Sequence, residues 1–387
     1  MRKVYVDNAA TTYPKPRQVG ESLVNYINNI GVNVSRGNYE HSYSTARVVF
    51  ETRELLCELF NFNNPLNVVF TSNITESLNI IIKGFLKRGD HVLVSSMEHN
   101  AVIRPLHSIL RNGVEYTTLP CDKHGKLSVE LVENSIQNNT KLILINHVSN
   151  VFGTIQNIQE IGNLCKKKGI HFVIDSAQSA GILPIDFQKL NLSALPFTGH
   201  KGLLGPQGTG GILFRDDFAA MVKPFREGGT GSFSEQEFQP EILPDKFESG
   251  TLNIPGIFGL NAGIKYIKEV GLSTIWHHEQ ELSKLFLDNI LNIDGITLHG
   301  INSIQDRTAV FSITIDNMDC AEAGYLLDKE FGIMTRTGIH CSPLAHKTMG
   351  TFPEGTIRFS FGLFNTKEDV LYISKALQQL SRNQNYY

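Results

Sequence analysis

The sequence predicts an α/β fold in which a large, mainly parallel sheet is followed by a smaller α+β region. The prediction starts from an alternation of short apolar segments and helical segments that begins at about residue 65. Residues 67–71 and 91–95 have the composition of buried strands, and the intervening residues 75–87 have apolar side chains at helical spacing. Continuous apolar strands that alternate with amphipathic helices are typical of a parallel sheet covered on both faces.

The same alternation continues to about residue 214. We predict strands at 142–146, 171–175 and 211–214. A helix is predicted at 158–168, because its last turn consists of lysines and Gly169 follows it. Each further pair of strand and helix extends the predicted parallel sheet.

The pattern changes after about residue 256, where a long helical segment over 256–292 is broken near Gly271. The later predicted elements are strands at 296–299 and 309–315, a helix at 320–330, a strand that ends near Arg336 and a helix at 366–381. We therefore predict a large domain over 15–255 and a small α+β domain formed by 1–14 together with 256–387.

Composition argues against several classes of protein. The chain has 387 residues and a formal net charge of −3, so it lacks the positive field with which proteins attract nucleic acid or anionic membranes. Its apolar stretches are far shorter than the ~20 residues that cross a bilayer. The five cysteines form no CxxC pair, which argues against a disulfide framework and a thiolate metal site and favours the cytoplasm.

Three positions carry candidate chemistry. Asp175 ends an apolar strand, where open α/β sheets bind ligands, although a helix N-cap explains it equally well. Lys201 lies among six glycines in TGHKGLLGPQGTGG (198–211), where a lysine of lowered pKa can form a Schiff base. A solvated lysine in a flexible loop is the alternative. Thr75 begins a predicted helix, whose N-terminus suits a phosphate. The alternative is that Thr75 is an ordinary N-cap. Its capping box would be incomplete, because Leu78 lies where glutamate is preferred.

Together these positions meet the requirements of pyridoxal 5′-phosphate (PLP). The phosphate needs an anion site, the pyridine nitrogen needs a carboxylate, and the aldehyde needs a lysine. Asp175 and Lys201 are 26 residues apart in the sequence. We therefore expect PLP as the cofactor.

Over essentially its whole length the chain resembles the class V aminotransferase group of fold-type I PLP enzymes, and within it the cysteine desulfurases and selenocysteine lyases. The motifs that carry the resemblance are DNAAT (7–11), MEHN (97–100), HVSNVFGT (147–154), DSAQ (175–178), TGHK (198–201), GPQGTGG (205–211), ESGTLN (248–253), RTGIHC (336–341) and TIRFSFG (356–362). The resemblance implies a PLP-dependent transferase fold of type I, a homodimer, a small amino-acid substrate (L-cysteine or L-selenocysteine) and a sulfur-acceptor protein.

The resemblance also implies roles for cofactor-binding residues. Lys201 matches the lysine that bonds to PLP and moves protons. His99 matches the histidine stacked on the ring, although the residues alone favour a helix-cap or core histidine. The full set implied for the cofactor is Thr75, His99, Asp175, Gln178, Thr198, His200, Lys201 and Thr251. Of these, Thr251 is implied to reach the phosphate of the partner subunit.

For the substrate, Arg358 matches the arginine that binds the carboxylate, and Asn150 and Arg336 are the other implied substrate-binding residues. Cys341 matches the cysteine that accepts sulfur as a persulfide while alanine leaves, and an inert buried thiol is the alternative. We expect the neighbouring histidines or a basic pocket to favour its thiolate form. Those histidines are His340 and His346.

Two features bear on the subtype. Arg358 lies only 17 positions after Cys341, a short spacing that resembles the short-loop, group II desulfurases, which an acceptor protein often stimulates. Ile74 lies where many members have a threonine. Two alternatives to a cysteine desulfurase remain open. The chain could be another class V enzyme, namely a selenocysteine lyase, a C–S lyase or an aminotransferase. It could also be a persulfide carrier or a regulatory protein with weak catalysis.

Overall fold

The computed structural model describes residues 2–34 and 39–383. Its strands are β1 (Val4–Tyr5), β2 (Val68–Thr71), β3 (His91–Ser95), β4 (Glu115–Leu119), β5 (Thr140–Asn146), β6 (His171–Asp175), β7 (Ala194–Thr198), β8 (Gly210–Phe214), β9 (Ile296–His299), β10 (Val310–Ile315), β11 (Ile333–Met334), β12 (Arg336–Gly338) and β13 (Thr356–Ser360). Its α-helices are α1 (Arg17–Asn25), α2 (Glu40–Phe60), α3 (Ile74–Phe85), α4 (Asn100–Ile109), α5 (Val129–Asn134), α6 (Ile158–Lys168), α7 (Asp216–Met221), α8 (Ile254–Val270), α9 (Leu272–Ile290), α10 (Cys320–Phe331), α11 (Pro343–Thr348) and α12 (Lys367–Asn383).

Within the described ranges, the largest sheet has seven strands in the order β2-β8-β7-β6-β5-β3-β4. Five neighbouring strands of this sheet, β7, β6, β5, β3 and β4, run parallel to one another. This confirms the predicted mainly parallel α/β fold. β8, predicted at 211–214, is antiparallel to both β7 and β2. The chain between β7 and β8 contains no helix, so it cannot make the crossover that a parallel partner needs.

Two strands of this sheet are absent from the predictions. β4 lies at the sheet edge, and its residues Glu115–Leu119 are mostly polar and only partly buried. β7 is fully buried but carries Pro196 at its centre, a residue that argues against a central strand when the sequence is considered alone. In both cases the segment forms a strand because of its position in the sheet, although its own residues do not have the composition of a buried strand.

The carboxyl ends of the central strands meet at one edge of the sheet. β5, β6 and β7 end at Asn146, Asp175 and Thr198, and Asn146 is paired with Asp175 in the ladder. Apolar clusters cover both faces of the sheet. Ligands of open α/β sheets bind at this kind of edge.

Four of the six remaining strands in the described residues form an antiparallel sheet in the order β12-β13-β10-β9, and β1 and β11 form a separate two-stranded sheet. The strand predicted to end near Arg336 is instead two strands, because β11 pairs with the N-terminal β1 and β12 begins at Arg336. The boundary predicted between residues 255 and 256 falls inside α8, whose Ile257 and Leu260 pack into the core of the large sheet. The division into two domains stays a prediction. Among the described residues, no helix is long and apolar enough to span a bilayer.

Candidate active site

A cavity of about 220 Å³ lies at the carboxyl edge of the large sheet. Its lining includes ten of the residues predicted for cofactor and substrate, namely Thr75, His99, Asn150, Asp175, Gln178, Thr198, His200, Lys201, Arg336 and Arg358. Two predicted residues, Thr251 and Cys341, are not part of this lining. The fold therefore gathers most of the predicted site from segments far apart in the sequence.

The N-terminus of α3 faces this cavity. Asn73 is the N-cap, since its Oδ1 accepts from the Glu76 N–H at 3.0 Å, and the Glu76 carboxylate accepts from the Ser72 N–H at 2.8 Å. The interpretation of Thr75 as the N-cap is therefore wrong, because an asparagine two residues earlier supplies the acceptor. The N–H groups of Ile74 and Thr75 have no intrahelical acceptor, so the positive end of the helix dipole is available to an anion.

Lys201 and Asp175 form the charged centre of the cavity. Burial lowers the pKa of Lys201 to about 8, and Arg358 and Arg336 act in the same direction against the opposing Asp175. Burial also raises the pKa of Asp175, although its Oδ1 accepts from the Ala177 N–H at 2.9 Å. A lysine of lowered pKa can act as a nucleophile and as a base near neutral pH.

The donors around the cavity fit PLP. Thr198 is 2% exposed, and its Oγ1 has no hydrogen-bond partner within the described part of the chain. His200 Nδ1 bonds to Thr11 Oγ1 at 3.1 Å, and burial lowers the pKa of His200 to about 4. An orphaned buried hydroxyl beside a helix N-terminus suits a phosphate. A buried carboxylate and a half-buried lysine on the same cavity suit the ring nitrogen and the aldehyde.

His99 is both a helix cap and a member of the cavity wall. Its Nδ1 accepts from the Ala101 N–H at 3.0 Å, which caps α4. Burial, together with the charge of Lys201, lowers the pKa of His99 to about 4. The ring is therefore neutral at physiological pH, and the accepting role of Nδ1 assigns the proton to Nε2. His99 therefore caps α4, as the helix-cap alternative predicted, and also lines the cavity.

Gln178 and Thr251 are two residues predicted to bind the cofactor, and they lie in different cavities. Gln178 lines the cavity, and its Nε2 donates to the Ala9 backbone oxygen at 3.0 Å. Thr251 is exposed and lines a different cavity of about 220 Å³, together with Ser72 and Arg226. Within one chain, Thr251 is therefore not part of the lining of the first cavity.

Arg358 is the most buried cation of the site, at 1% exposure. Its NH2 group pairs with Asp7 Oδ1 at 2.5 Å, and its NH1 group donates to the backbone oxygen of Asn150 at 3.0 Å. Its Nε is buried and lacks a partner among the described residues. Asp7, on which the sequence analysis placed no role, thus holds the arginine. No local pattern marks this contact, because the two residues are 351 positions apart.

Cys341 lies at the exposed surface beside the cavity. Arg336 NH2 donates to its Sγ at 3.9 Å. His340 and Cys341 have positive φ angles of 47° and 60°, a conformation that costs a side-chain-bearing residue about 1–2 kcal/mol. The thiol is therefore accessible, and the backbone under it is strained.

The expectation that histidines favour the thiolate of Cys341 is wrong. Burial lowers the pKa of His340 to about 2 and that of His346 to about 4, so both rings are neutral near pH 7. Their ring nitrogens bond to Thr356 and Thr351. Because the histidines bring no positive charge, the basic group at the sulfur is the guanidinium of Arg336.

Glu98 is a buried group next to the cavity residues Asn146 and Asp175, and the sequence did not point to it. It is 0% exposed, and its Oε1 accepts from Ser95 Oγ at 2.5 Å and from the Asn146 N–H at 2.9 Å. Its Oε2 has no partner in the described structure. Burial, with a smaller contribution from Asp175, raises the pKa of Glu98 to about 8. The carboxyl group behind Asp175 is therefore mainly protonated at neutral pH.

Replacing Glu98 by glutamine should remove part of the pH dependence of stability. The folded protein holds the Glu98 proton more tightly than the unfolded chain, so this group makes wild type less stable as pH rises from about 4.5 to about 8. The slope is at most about 1.4 kcal/mol per pH unit. Glu98→Gln keeps an acceptor at Oε1 and should lose that slope in urea unfolding measured from pH 5 to 9. The surface variant Glu58→Gln is the control, and parallel curves for wild type and Glu98→Gln would contradict the assignment.

Comparisons with known proteins give the family of the chain. The family model described as aminotransferase class-V matches residues 4–373. The chain is 32% identical to a probable cysteine desulfurase of Methanothermobacter thermautotrophicus, over 98% of this chain and 94% of the relative. The structure is similar to that of a cysteine desulfurase from Thermococcus onnurineus, with a TM-score of 0.93, 31% identity and coverage of 98% and 95%. It is also similar to an Escherichia coli cysteine desulfurase, with a TM-score of 0.89, 26% identity and coverage of 98% and 95%.

Proposed function

Because the chain belongs to the aminotransferase class-V family, we propose that it is a PLP-dependent cysteine desulfurase. It would convert L-cysteine to L-alanine and take the sulfur onto Cys341 as a persulfide. The observation that carries the proposal is the exposed thiol of Cys341 at the rim of a cavity that contains Lys201, Asp175 and Arg358. Curated relatives named cysteine desulfurase, at about 30% identity over nearly the full chain, support it.

The cavity residues would make four kinds of contact with the cofactor. Lys201 would bond to the aldehyde, Asp175 would pair with the ring nitrogen, and His99 would cover the ring as a neutral imidazole. The N-terminus of α3 with Thr75, Thr198 and His200 would hold the phosphate. When bound, PLP supplies an electron sink that stabilises negative charge at the substrate α-carbon.

The chain's own residues then act on the substrate. Arg358 binds the carboxylate, which fixes the amino acid in one orientation. Lys201 removes the α-proton as a general base, for which a pKa of about 8 is suited. Cys341 attacks the substrate sulfur as the thiolate, with Arg336 at 3.9 Å from Sγ.

The sulfur transfer is balanced without an external oxidant. A bond forms between Cys341 Sγ and the substrate sulfur while the substrate Cβ–S bond breaks. Cβ gains a hydrogen, so that cysteine becomes alanine, and the enzyme thiol becomes a persulfide. A reductant or an acceptor thiol then removes the outer sulfur and restores Cys341.

Incubation of the holoenzyme with L-cysteine and dithiothreitol tests the proposal. We expect alanine and sulfide in equal amounts, and a mass gain of one sulfur atom on the peptide that contains Cys341 when dithiothreitol is omitted. Heat-inactivated enzyme with free PLP is the control for non-enzymatic release. Pyruvate in place of alanine, or amino-group transfer to a keto acid, would assign a different class V reaction.

We also propose a homodimer, an acceptor protein and a cytoplasmic location. Thr251 and Arg226 line an open cavity next to the loop that leads into α3, which supports a second subunit that uses Thr251 at the phosphate. The exposed position of Cys341 supports transfer of sulfur to a protein partner. Free thiols at all five cysteines support a reducing compartment.

Arg358→Lys should weaken substrate binding more than turnover. A lysine provides one point charge and cannot hold Asp7, the Asn150 backbone oxygen and a carboxylate together. Loss of a charge-assisted hydrogen bond costs about 1.5–3 kcal/mol, so we expect KM for L-cysteine to rise roughly 10–100-fold in initial-rate measurements. Unchanged cofactor absorbance would show that the site is intact. An unaltered KM would contradict the role of Arg358.

A further inference from the structure

The imidazole of His200 lines the cavity together with Thr75 and Thr198. Burial lowers the pKa of His200 to about 4, so the ring is neutral near pH 7 and carries one proton. Its Nδ1 lies 3.1 Å from Thr11 Oγ1, which leaves Nε2 as the ring nitrogen for a ligand. A neutral imidazole donates from one nitrogen and accepts at the other. The position of the single ring proton therefore decides whether Nε2 is a donor or an acceptor.

The hydroxyl of Thr11 lies between two acceptors that belong to His200. Its Oγ1 is 3.1 Å from the His200 backbone oxygen and 3.1 Å from Nδ1. Because a hydroxyl has one proton, it donates to only one of them at a time. If it donates to the backbone oxygen, Nδ1 must donate to Oγ1, and Nε2 is an acceptor. If it donates to Nδ1, the ring proton lies on Nε2, which is then a donor.

The backbone oxygen of His200 has other donors. It accepts from the Thr12 N–H at 3.1 Å and from Lys15 Nζ at 2.5 Å. A carbonyl oxygen has two lone pairs, so these two donors are enough to satisfy it. The Thr11 proton is therefore free to go to Nδ1 without leaving a backbone group unpaired.

A phosphate at this end of the cavity requires Nε2 as a donor. The other groups there are donors as well, namely the orphaned hydroxyl of Thr198 and the N-terminus of α3. Near neutral pH a phosphate monoester carries up to two negative charges and offers three acceptor oxygens. An unprotonated Nε2 would set a lone pair against these oxygens, whereas Nε2–H adds a charge-assisted hydrogen bond.

We propose that Thr11 is a positioning residue for the cofactor phosphate, because its hydroxyl donates to Nδ1 of His200 and thereby keeps the ring proton on Nε2. The hydrogen bond at one ring nitrogen sets the state of the other in the same way at many histidine sites. The proposal rests on the PLP part of the proposed function and is independent of the desulfurase reaction.

Pyridoxine 5′-phosphate and pyridoxine isolate the contribution of the phosphate, since neither has an aldehyde that could bond to Lys201. Their Kd values are measured by calorimetric titration of the full-length protein freed of its cofactor. Thr11→Val keeps the shape of the side chain and removes the hydroxyl. We expect it to raise the Kd of pyridoxine 5′-phosphate roughly 10–100-fold, the loss typical when the partner that orients a metal-binding histidine is removed. The Kd of pyridoxine should stay near its wild-type value.

Two variants serve as controls. Thr11→Ser keeps the hydroxyl and should retain the wild-type affinity for pyridoxine 5′-phosphate. Thr314→Val removes the hydroxyl of another threonine–histidine pair, in which His299 Nε2 lies 3.0 Å from Thr314 Oγ1 in the four-stranded sheet, and should change neither Kd. An equal rise of both Kd values in Thr11→Val would mean that the threonine supports the cavity as a whole, which would overturn the proposal.

Nitrogen-15 spectra of histidine-labelled protein detect the ring proton directly. The signals of His200 are assigned by their absence in His200→Gln. With pyridoxine 5′-phosphate bound, wild type should show a protonated Nε2 and an unprotonated Nδ1. A proton on Nδ1 alone, or an imidazolium protonated on both nitrogens, would contradict the role of Thr11.

The outcomes separate this proposal from the proposed function. If wild type binds pyridoxine 5′-phosphate no more tightly than pyridoxine, the phosphate site is refuted, and the PLP assignment and the role of Thr11 fail together. If wild type prefers the phosphate and Thr11→Val does so equally, only the role of Thr11 fails. A wild type that binds the phosphate but does not turn over L-cysteine would refute the desulfurase reaction, and the two titrations would still decide the role of Thr11.

Discussion

Lys201→Ala is expected to lower the turnover of L-cysteine by roughly 10³-fold, the typical loss when a positioned proton-transfer group is removed. Lys201 lies three residues after the end of β7, at the carboxyl edge of the sheet, and lines the same cavity as Asp175. Burial lowers its pKa to about 8, so a substantial fraction of the amine is unprotonated near neutral pH. No other lysine lines this cavity, so no second amine within the described structure can replace it.

The measurement for Lys201 combines rate and covalent attachment. Alanine formation is followed in initial-rate assays, and borohydride treatment followed by peptide mass analysis locates the cofactor. Wild type should carry it on the peptide containing Lys201, and the variant should carry none. Lys246→Met removes a buried lysine elsewhere in the protein, one that pairs with Glu241 at 2.7 Å, and should keep wild-type labelling. Full activity of Lys201→Ala would rule out its role as the base.

Cys341→Ala should abolish the persulfide and lower alanine formation from L-cysteine by at least roughly 10²-fold. The remaining thiols are poor substitutes, because burial raises the pKa of Cys121 to about 11 and that of Cys165 to about 12. Protonated thiols are weak nucleophiles. Cys320→Ser, which alters another partly exposed thiol, is the matched control and should keep wild-type rates.

The same variant discriminates between substrates. Selenide leaves more readily than sulfide, so Cys341→Ala should retain most of its turnover of L-selenocysteine while it loses that of L-cysteine. Sulfide release from L-cysteine at the wild-type rate would contradict the persulfide role. In wild type, kcat/KM values for cysteine, selenocysteine and cysteine sulfinate would rank the reactions that the family relationship leaves open.

The local pattern predicted only part of the site. Asp175 ends a predicted buried strand, which indicates the carboxyl edge of a sheet, although a helix N-cap explained it equally well. Lys201 follows β7, a strand that was not predicted, so its role rested on the glycine-rich loop and on the family resemblance. The direction of β8 was not predictable, since an apolar run of four or five residues has the same composition whether its neighbour is parallel or antiparallel. Only the connection before it carries that information.

Protonation states were the least predictable feature of the site. His340, His346 and Glu98 are ionisable residues of ordinary appearance in the sequence, but burial leaves all three neutral at pH 7. The cost of desolvation depends on every segment packed around a group, and no spacing along the chain encodes it. For the same reason, the sequence could not decide between the two expected sources of positive charge at Cys341, the neighbouring histidines and a basic pocket, and the histidines were the wrong one.

The pairing of β1 with β11, and of Asp7 with Arg358, has a consequence for how the protein is made. The two partners of the ion pair are 351 residues apart. At a synthesis rate of roughly 5–20 residues per second, Arg358 leaves the ribosome about 20–70 s after Asp7. β1 therefore has no β11 to pair with during most of translation. A nascent chain stalled before β11 would have the lysine and aspartate of the cavity but would lack both the arginine and the partner of its first strand.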